Sequence, residues 1–457
     1  MSSESVNSPQ GLTAALVDRC RAIAASKIND DASTVARQCL LDWFGVTLAG
    51  SREPLTRILR DEALAEGGNP RATLVGTGEC VSLNQAALIN GAASHALDYD
   101  DVQWAMSGHP TVPVLPALLA LGEERNASIG DVLTAFVAGV EMECRLGQAV
   151  LPGHYATGFH ATGTLGTFGA AAACAHLLGL GRDEWLMAIG IAGAQAAGLK
   201  SMFGTMCKPF HAGKAAANGL LAAQLAARGF TSNPSAIEAP QGFAATQTPT
   251  FHPERALSED PGLAVRSVLF KYHAACYGTH ETIEGVLRLK HDNAVQPGQV
   301  TQIRLSVPAG NLAMCNIEAP VTALEGKFSL RFTAALALAR DDTSEAAFTD
   351  PSVGEHDLVE LRNRVVVEGT APPNSGTEVT LVLTDGRELR QRVNLNIPEA
   401  DLDRQWDRLR HKFLSLAVPV VGSAQASELL SRIEKLDPAT PVRELVRVSV
   451  PQLIGAR

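Results

Sequence analysis

At 457 residues the chain exceeds one ordinary hydrophobic core, so its length predicts either two domains or one large helical domain with an appendage. A formal net charge of -10 excludes a nucleic-acid surface as the main partner, because that role needs a basic stripe to neutralise phosphates. With 46% hydrophobic and 19% charged residues the composition is that of a soluble globular protein, and an anionic substrate would have to be met by a local cluster of Lys, Arg and His.

From Gly11 to about Thr231 the periodicity is helical. Ala14, Leu16, Val17 and Cys20 open a 3.6-residue stripe, and Asp31 to Leu48 repeats it behind an acidic start, with Gly50 as the expected stop. Asn84 to Leu97 and Asp131 to Val150 continue the series. In the latter, Glu141 and Arg145 stand at i,i+4 among apolar residues, spaced for a supporting ion pair. Gly163, Gly166 and Gly169 recur at every third position ahead of an alanine-rich helix. No strand pattern precedes them, so they predict closely packed helix backbones rather than a phosphate loop. Ala188 to Gly198 and Gly213 to Gly229 have the same texture. The longest apolar run, Trp185 to Leu199, is too short to span a bilayer and carries Gln195, which predicts a buried core helix and no membrane partner.

After about Lys271 the pattern changes. Ile303, Leu305 and Val307 alternate, Val365 to Val367 is β-branched, and Val379, Leu381 and Leu383 alternate up to an Asp385-Gly386 turn, beyond which Leu389, Val393 and Leu395 resume. Glu281 to Lys290 and Phe328 to Arg340 are the helices of this unit, and 371–376 a loop between its strands. Asp401 to Leu414 and Ser423 to Leu436 return to helix. The predicted fold is mainly α: an all-helical domain over 1–270 plus 400–457, and a smaller α+β domain over 271–399.

Eight cysteines without a C-x-x-C pair read as reduced, buried thiols of a cytoplasmic protein. MSSESVNSPQ has no basic segment followed by an apolar one, so no secretory signal is expected.

Chemistry concentrates in Gly91 to Pro113, GAASHALDYDDVQWAMSGHPTVP. It brings His95, Asp98, Asp100, Asp101 and His109 to one helix end, where acids and imidazoles either pair or serve a site. Among the twelve histidines, His154, His160, His176, His211, His273 and His280 also fall in the helical part or at its edge. No pair has zinc-ligand spacing with a third ligand in sight, so no metal is expected; His176 reads as a core residue. Cys207 to Lys214 opens the Gly213 helix, and Lys208 and His211 before a helix N-terminus favour a carboxylate or phosphate. Lys271, at the change of texture, sits where an interdomain cleft would form.

The motifs HALDYDD, SGHP, GFHATGTLG, KPFHAGKAAANG and FKYHAACYGTH, in this order, resemble the MmgE/PrpD family of 2-methylcitrate dehydratases, cis-aconitate decarboxylases and iminodisuccinate epimerases. The resemblance spans about Leu41 to Arg340. It implies a homodimer with the active site between domains and no obligatory metal or organic cofactor. It further implies a catalytic set of Asp98, His109, His160, Lys208 and Lys271, with Lys208, Lys271, His211, Tyr272 and Cys276 binding a small anionic carboxylate substrate. Cys276, Phe332 and Val102 stand where the decarboxylase branch has histidine, tyrosine and threonine, which makes decarboxylation the least expected activity. The expected reaction is that of a hydro-lyase on a hydroxy di- or tricarboxylate. Epimerisation of an iminodisuccinate-type acid is the alternative, and a non-catalytic metabolite-binding dimer a third reading. In either reaction lysines neutralise a carboxylate while His160 or His109 takes the proton beside it, with Asp98 fixing the tautomer of one imidazole.

Overall fold

The computed structural model describes residues 11–259, 262–372 and 375–452. The chain forms two units, one of residues 1–268 and 401–457 and one of 269–400. It is mainly α, a large helical unit and a smaller α+β unit.

In the helical unit, Leu83–His95 and Ala161–Leu177 both pack along Cys207–Ala226. Their small residues are the cause. A Cβ on Gly213 would fall 2.1 Å from the Leu88 carbonyl oxygen, so only glycine lets these two backbones approach so closely. Gly163, Gly166 and Gly169 act in the same way, meeting the Ala197 carbonyl, the Pro113 ring and the Glu143 carboxyl, respectively. The Leu83–His95 helix is started by a reciprocal cap between Ser82 and Gln85. Glu141 and Arg145 form the expected pair at 2.8 Å on Ile129–Val150, and His176 Nε2 reaches the Ile23 carbonyl at 2.8 Å.

Three expectations need correction. The Trp185 helix spans Arg182–Gly193, and 194–199 leave it, with Leu199 half exposed; the glycine at 198, with φ 151°, suits a turn and not a helix. The Asp31 helix runs Asp30–Gly50, so Gly50 ends it from inside. Of the eight free cysteines, Cys80 and Cys207 are exposed and the other six buried.

Leu402–Glu434 is interrupted at Gly422, whose φ of 80° is not helical, and packs against Asp30–Gly50. By length and composition it is the one helix among the described residues apolar enough to cross a membrane. The break leaves a first segment that carries Asp403, Arg404, Asp407, Arg408, Arg410 and Lys412, too charged to lie in hydrocarbon. Its buried Lys412 ammonium donates to the Tyr99 carbonyl at 2.6 Å and pairs with Asp42 at 2.5 Å. The Leu402–Glu434 helix thereby fastens the Tyr99-Asp100-Asp101 stretch.

In the second unit a four-stranded sheet has the order Val365–Ala371, Val300–Pro308, Thr377–Leu383, Glu388–Val393. The first pair is parallel and the others antiparallel, with Leu305 opposite both Val367 and Val379. Ile303, Leu305 and Val307 are buried, as the two-residue alternation demands. Tyr277–Asp292 packs on this sheet and against Leu330–Arg340. Residues 373 and 374 of the expected 371–376 loop lie outside the described residues.

Candidate active site

The Leu83–His95 helix ends at His95, and Asp98 follows in the left-handed conformation, φ 51°. Aspartate tolerates that conformation better than most residues, and it turns the chain back on itself. An antiparallel bridge between Gln103 and Gly108 then closes the loop, which returns His109 to the helix end just before Thr111–Arg125 begins. Three groups separated by up to fourteen residues of sequence are thereby brought together.

Their contacts divide the acids. His95 Nδ1 lies 3.0 Å from Asp100 Oδ1, and His109 Nδ1 lies 2.8 Å from Asp100 Oδ2, the latter too oblique for a regular hydrogen bond. Asp98 Oδ1 instead accepts from the Lys208 ammonium at 2.7 Å and is 3.7 Å from His109 Nε2. Asp100, rather than Asp98, is therefore the carboxylate within hydrogen-bond distance of His95 Nδ1. Asp101 leaves the cluster and holds Thr111 through both its backbone N–H and its hydroxyl.

His160 sits just before the Ala161–Leu177 helix, its N–H donating to the Gly198 carbonyl at 3.0 Å. Its Nδ1 is 3.0 Å from His211 Nδ1, so one ring donates and the other accepts. Its ring lies 5.8 Å from that of His95 and 5.0 Å from Phe203. Lys208 and His211 do not precede the Gly213 helix as expected. The helix begins at Cys207, because Lys208-Pro209 fits a first turn, where the missing proline N–H costs nothing. Both side chains leave from its first five residues.

Burial is graded. The His95 and Asp100 side chains are 0% and 2% exposed, His109 12%, Lys208 16% and Asp98 27%. The open end of the cluster thus holds Lys208, Asp98 and His109. Burial lowers His95 to about 4, against the pull of Asp100. Burial also lowers His160 well below the ordinary imidazole value, helped by His95, Lys208 and His109, and lowers His211 together with Lys208. For Asp100 burial acts upward, yet His109 and His95 hold its carboxyl well below the usual range. The site therefore contains an ionised carboxylate at its base and, in His95, His160 and His211, imidazoles that stay neutral at physiological pH.

His95, Asp98, Asp100 and His109 each offer one ligand atom, all within 4.8 Å of one another, close enough for a metal ion. The Lys208 ammonium at 2.7 Å from Asp98 already supplies that carboxylate with a positive charge, which disfavours a cation there and favours an anion.

The remaining expected residues belong to the second unit. Lys271 and Cys276 are buried, and Cys276, whose N–H donates to the Lys327 carbonyl at 2.9 Å, stands just before Tyr277–Asp292. Tyr272 lies between Lys271 and the buried His273. His273 has Thr343 Oγ1 at 2.6 Å and Glu284 Oε1 at 3.1 Å on its two nitrogens. The residues that sequence reasoning undervalued are His95 and Asp100. The signal was present in HALDYDD, where a histidine at a helix end precedes an acid by five residues.

Fold and cluster together define an α-rich, two-unit protein whose helical unit gathers imidazoles, carboxylates and a lysine in one partly buried site. The chain belongs to the MmgE/PrpD family: residues 14–256 match the MmgE/PrpD N-terminal domain and residues 273–437 the MmgE/PrpD C-terminal domain. It is 26% identical over 459 residues to cis-aconitate decarboxylase of Mus musculus, covering 96% of this chain and 93% of that protein. To cis-aconitate decarboxylase of Homo sapiens it is 26% identical over 449 residues, covering 94% and 92%. To that of Aspergillus terreus (strain NIH 2624 / FGSC A1156) it is 25% identical over 480 residues, covering 97% of each. The reaction in these relatives' names is that of a lyase.

Proposed function

We propose that the chain is a lyase of small di- or tricarboxylates, with hydro-lyase chemistry as the leading reaction. The observation that carries this reading is the placement of the Lys208 ammonium, 2.7 Å from Asp98, at the open end of a cluster that also holds His109 and the neutral His160. An incoming carboxylate would share or replace Asp98 as the partner of Lys208. Charge that develops on it as a neighbouring C–H proton leaves would then be stabilised.

Electrostatics suggest the division of labour. His160, held neutral by burial and by surrounding cationic groups, suits the base. A proton on His109 lies between Asp100 at 2.8 Å and Asp98 at 3.7 Å, which suits the acid. In dehydration the C–H proton passes to His160, the C–H electron pair becomes the new C=C bond, and the C–O bond breaks. The hydroxyl departs with the proton of His109 as water.

Decarboxylation of cis-aconitate is the second reading, favoured by the relatives' names. There the C–CO2 bond would break and His109 would protonate the carbon. Cys276, Phe332 and Val102, which depart from the residues expected in that branch, weigh for the hydro-lyase. The test is proton NMR of the purified chain in heavy water with 2-methylcitrate, citrate, cis-aconitate and iminodisuccinate. A new alkene from a hydroxy acid supports the hydro-lyase, and replacement of the cis-aconitate signals by those of an unsaturated dicarboxylate one carbon shorter supports the decarboxylase. Deuterium uptake with inversion and no alkene would indicate an epimerase. No change in any of the four overturns the proposal.

A further inference from the structure

We propose that Asp100 is a positioning residue for His109, and that His95 is the fixed neutral donor that holds Asp100 in place for this task. The inference rests on the proton-transfer site proposed above and assigns work to two side chains that do not themselves face the open end of the cluster.

Asp100 is shared by two imidazoles that enter from opposite ends of one loop. His95 Nδ1 lies 3.0 Å from both of its oxygens, and His109 Nδ1 lies 2.8 Å from Oδ2. An ionised carboxylate only accepts, so the proton of neutral His95 sits on Nδ1. Its Nε2 is then a buried acceptor with no hydrogen-bond partner among the described residues. Leaving such an acceptor unsatisfied is unfavourable, and holding Asp100 is the return the geometry offers. The two rings meet edge to face with centroids 4.5 Å apart, so His95 also limits the tilt of His109. Because burial lowers His95 to about 4, its bond to Asp100 stays unchanged over the working pH range.

The pairing also aims the ring. With Nδ1 held 2.8 Å from Asp100 Oδ2, although out of line for a regular hydrogen bond, Nε2 of His109 lies 3.7 Å from Asp98, at the more exposed end where Lys208 lies. Five groups govern a proton on His109: Asp98 and Asp100 from its own loop, His95 from the end of Leu83–His95, His160 from the start of Ala161–Leu177, and Lys208 from Cys207–Ala226. Of the two carboxylates, Asp98 is already balanced by Lys208 at 2.7 Å. Asp100, whose side chain is 2% exposed, is the one water cannot screen.

The test uses the full chain with isotope-labelled histidine, followed by NMR through a pH titration in wild type, Asp100→Asn, His95→Asn and His95→Leu. Asn at 95 places an amide nitrogen near the position of Nδ1 and keeps a donor to Asp100; Leu does not. Asp100→Asn should change the imidazole nitrogen shifts of His109, because the carboxylate that favours a proton on its Nδ1 is gone. It should also lower kcat by about 10- to 100-fold with KM changed by less than about threefold, and move the alkaline limb of the rate profile to lower pH. His95→Leu should reproduce part of this and His95→Asn should rescue it. Unchanged His109 nitrogen shifts in a folded Asp100→Asn, or equal behaviour of His95→Asn and His95→Leu, overturns the proposal. Should Asp100→Asn fail to fold, the two His95 variants decide. The NMR result does not depend on turnover, so absence of activity on every acid above would count against the proposed function and leave this inference to be judged separately.

Discussion

Lys208 and Asp98, 110 residues apart in sequence, meet at 2.7 Å where the Cys207–Ala226 helix begins and the Leu83–His95 helix has just ended. The pair is only partly buried, so its worth to stability is small. Its value lies in a lysine held ready at the open end of the cluster. Lys208→Ala is expected to lower kcat/KM by about 100- to 1000-fold, with a melting temperature within a few degrees of wild type. Calorimetric titration with tricarballylate, a saturated tricarboxylate that cannot react, should show binding to wild type and none to the variant. Binding that survives in Lys208→Ala would remove the lysine from the carboxylate site.

Acid should destabilise the protein through His95. Its folded value of about 4 lies below the ordinary 6.5, so below pH 6.5 the unfolded chain takes up a proton that the folded one refuses. Stability from this source is intact above pH 6.5 and falls until about pH 4, by about 3 kcal/mol. Urea unfolding of wild type and His95→Asn at pH 7, 5.5 and 4.5 checks it. The gap between them should move in favour of the variant as pH drops, and a constant gap would refute the assignment.

The opposite limb belongs to Asp101. Burial raises its carboxyl to about 8, opposed by the hydrogen bonds from Thr111 and helped by Asp42 and Asp100. Since its folded value exceeds that of the unfolded chain, its contribution is complete below about pH 4 and lost as pH rises through about 8. Asp101→Asn, neutral at every pH, should therefore gain on wild type between pH 5 and 8.5 in the same urea assay. If the wild type keeps its lead across that range, Asp101 is ionised in the fold.

Gly213→Ala should be costly in a way that reaches the site. The added methyl carbon would lie 2.1 Å from the Leu88 carbonyl and 2.9 Å from the Ala92 nitrogen, and backbone cannot yield as a side chain can. A loss of about 1–3 kcal/mol is expected. Activity should fall as well, because the helix that must shift carries Lys208 and His211. A thermal melt with a parallel rate measurement checks both.

Much of this was written in local pattern. The Gly and Ala recurrence of 163–173 and 213–223 fixes a closely packed helical unit, since small residues at helical spacing leave no other way to bury the surface. The alternation of Ile303, Leu305 and Val307, answered by Val379 and Leu381, fixes a sheet with one covered face. The motifs also marked Asp98, His109, His160 and Lys208 as the residues to watch, and the helical unit gathers all four.

What sequence could not decide was which neighbouring acid does which task. Asp98, Asp100 and Asp101 are equivalent in a linear reading. Their fates are set by the left-handed turn at Asp98, which sends that side chain to Lys208, Asp100 to two imidazoles and Asp101 to Thr111. Nor could it show His95 as a buried neutral donor, because that follows from what other helices place beside it. Propensity and periodicity act over a few residues, and so the sequence alone determined the elements and the chemical inventory. Partner choice and protonation depend on distance and burial across more than a hundred residues, and only the tertiary structure decided those.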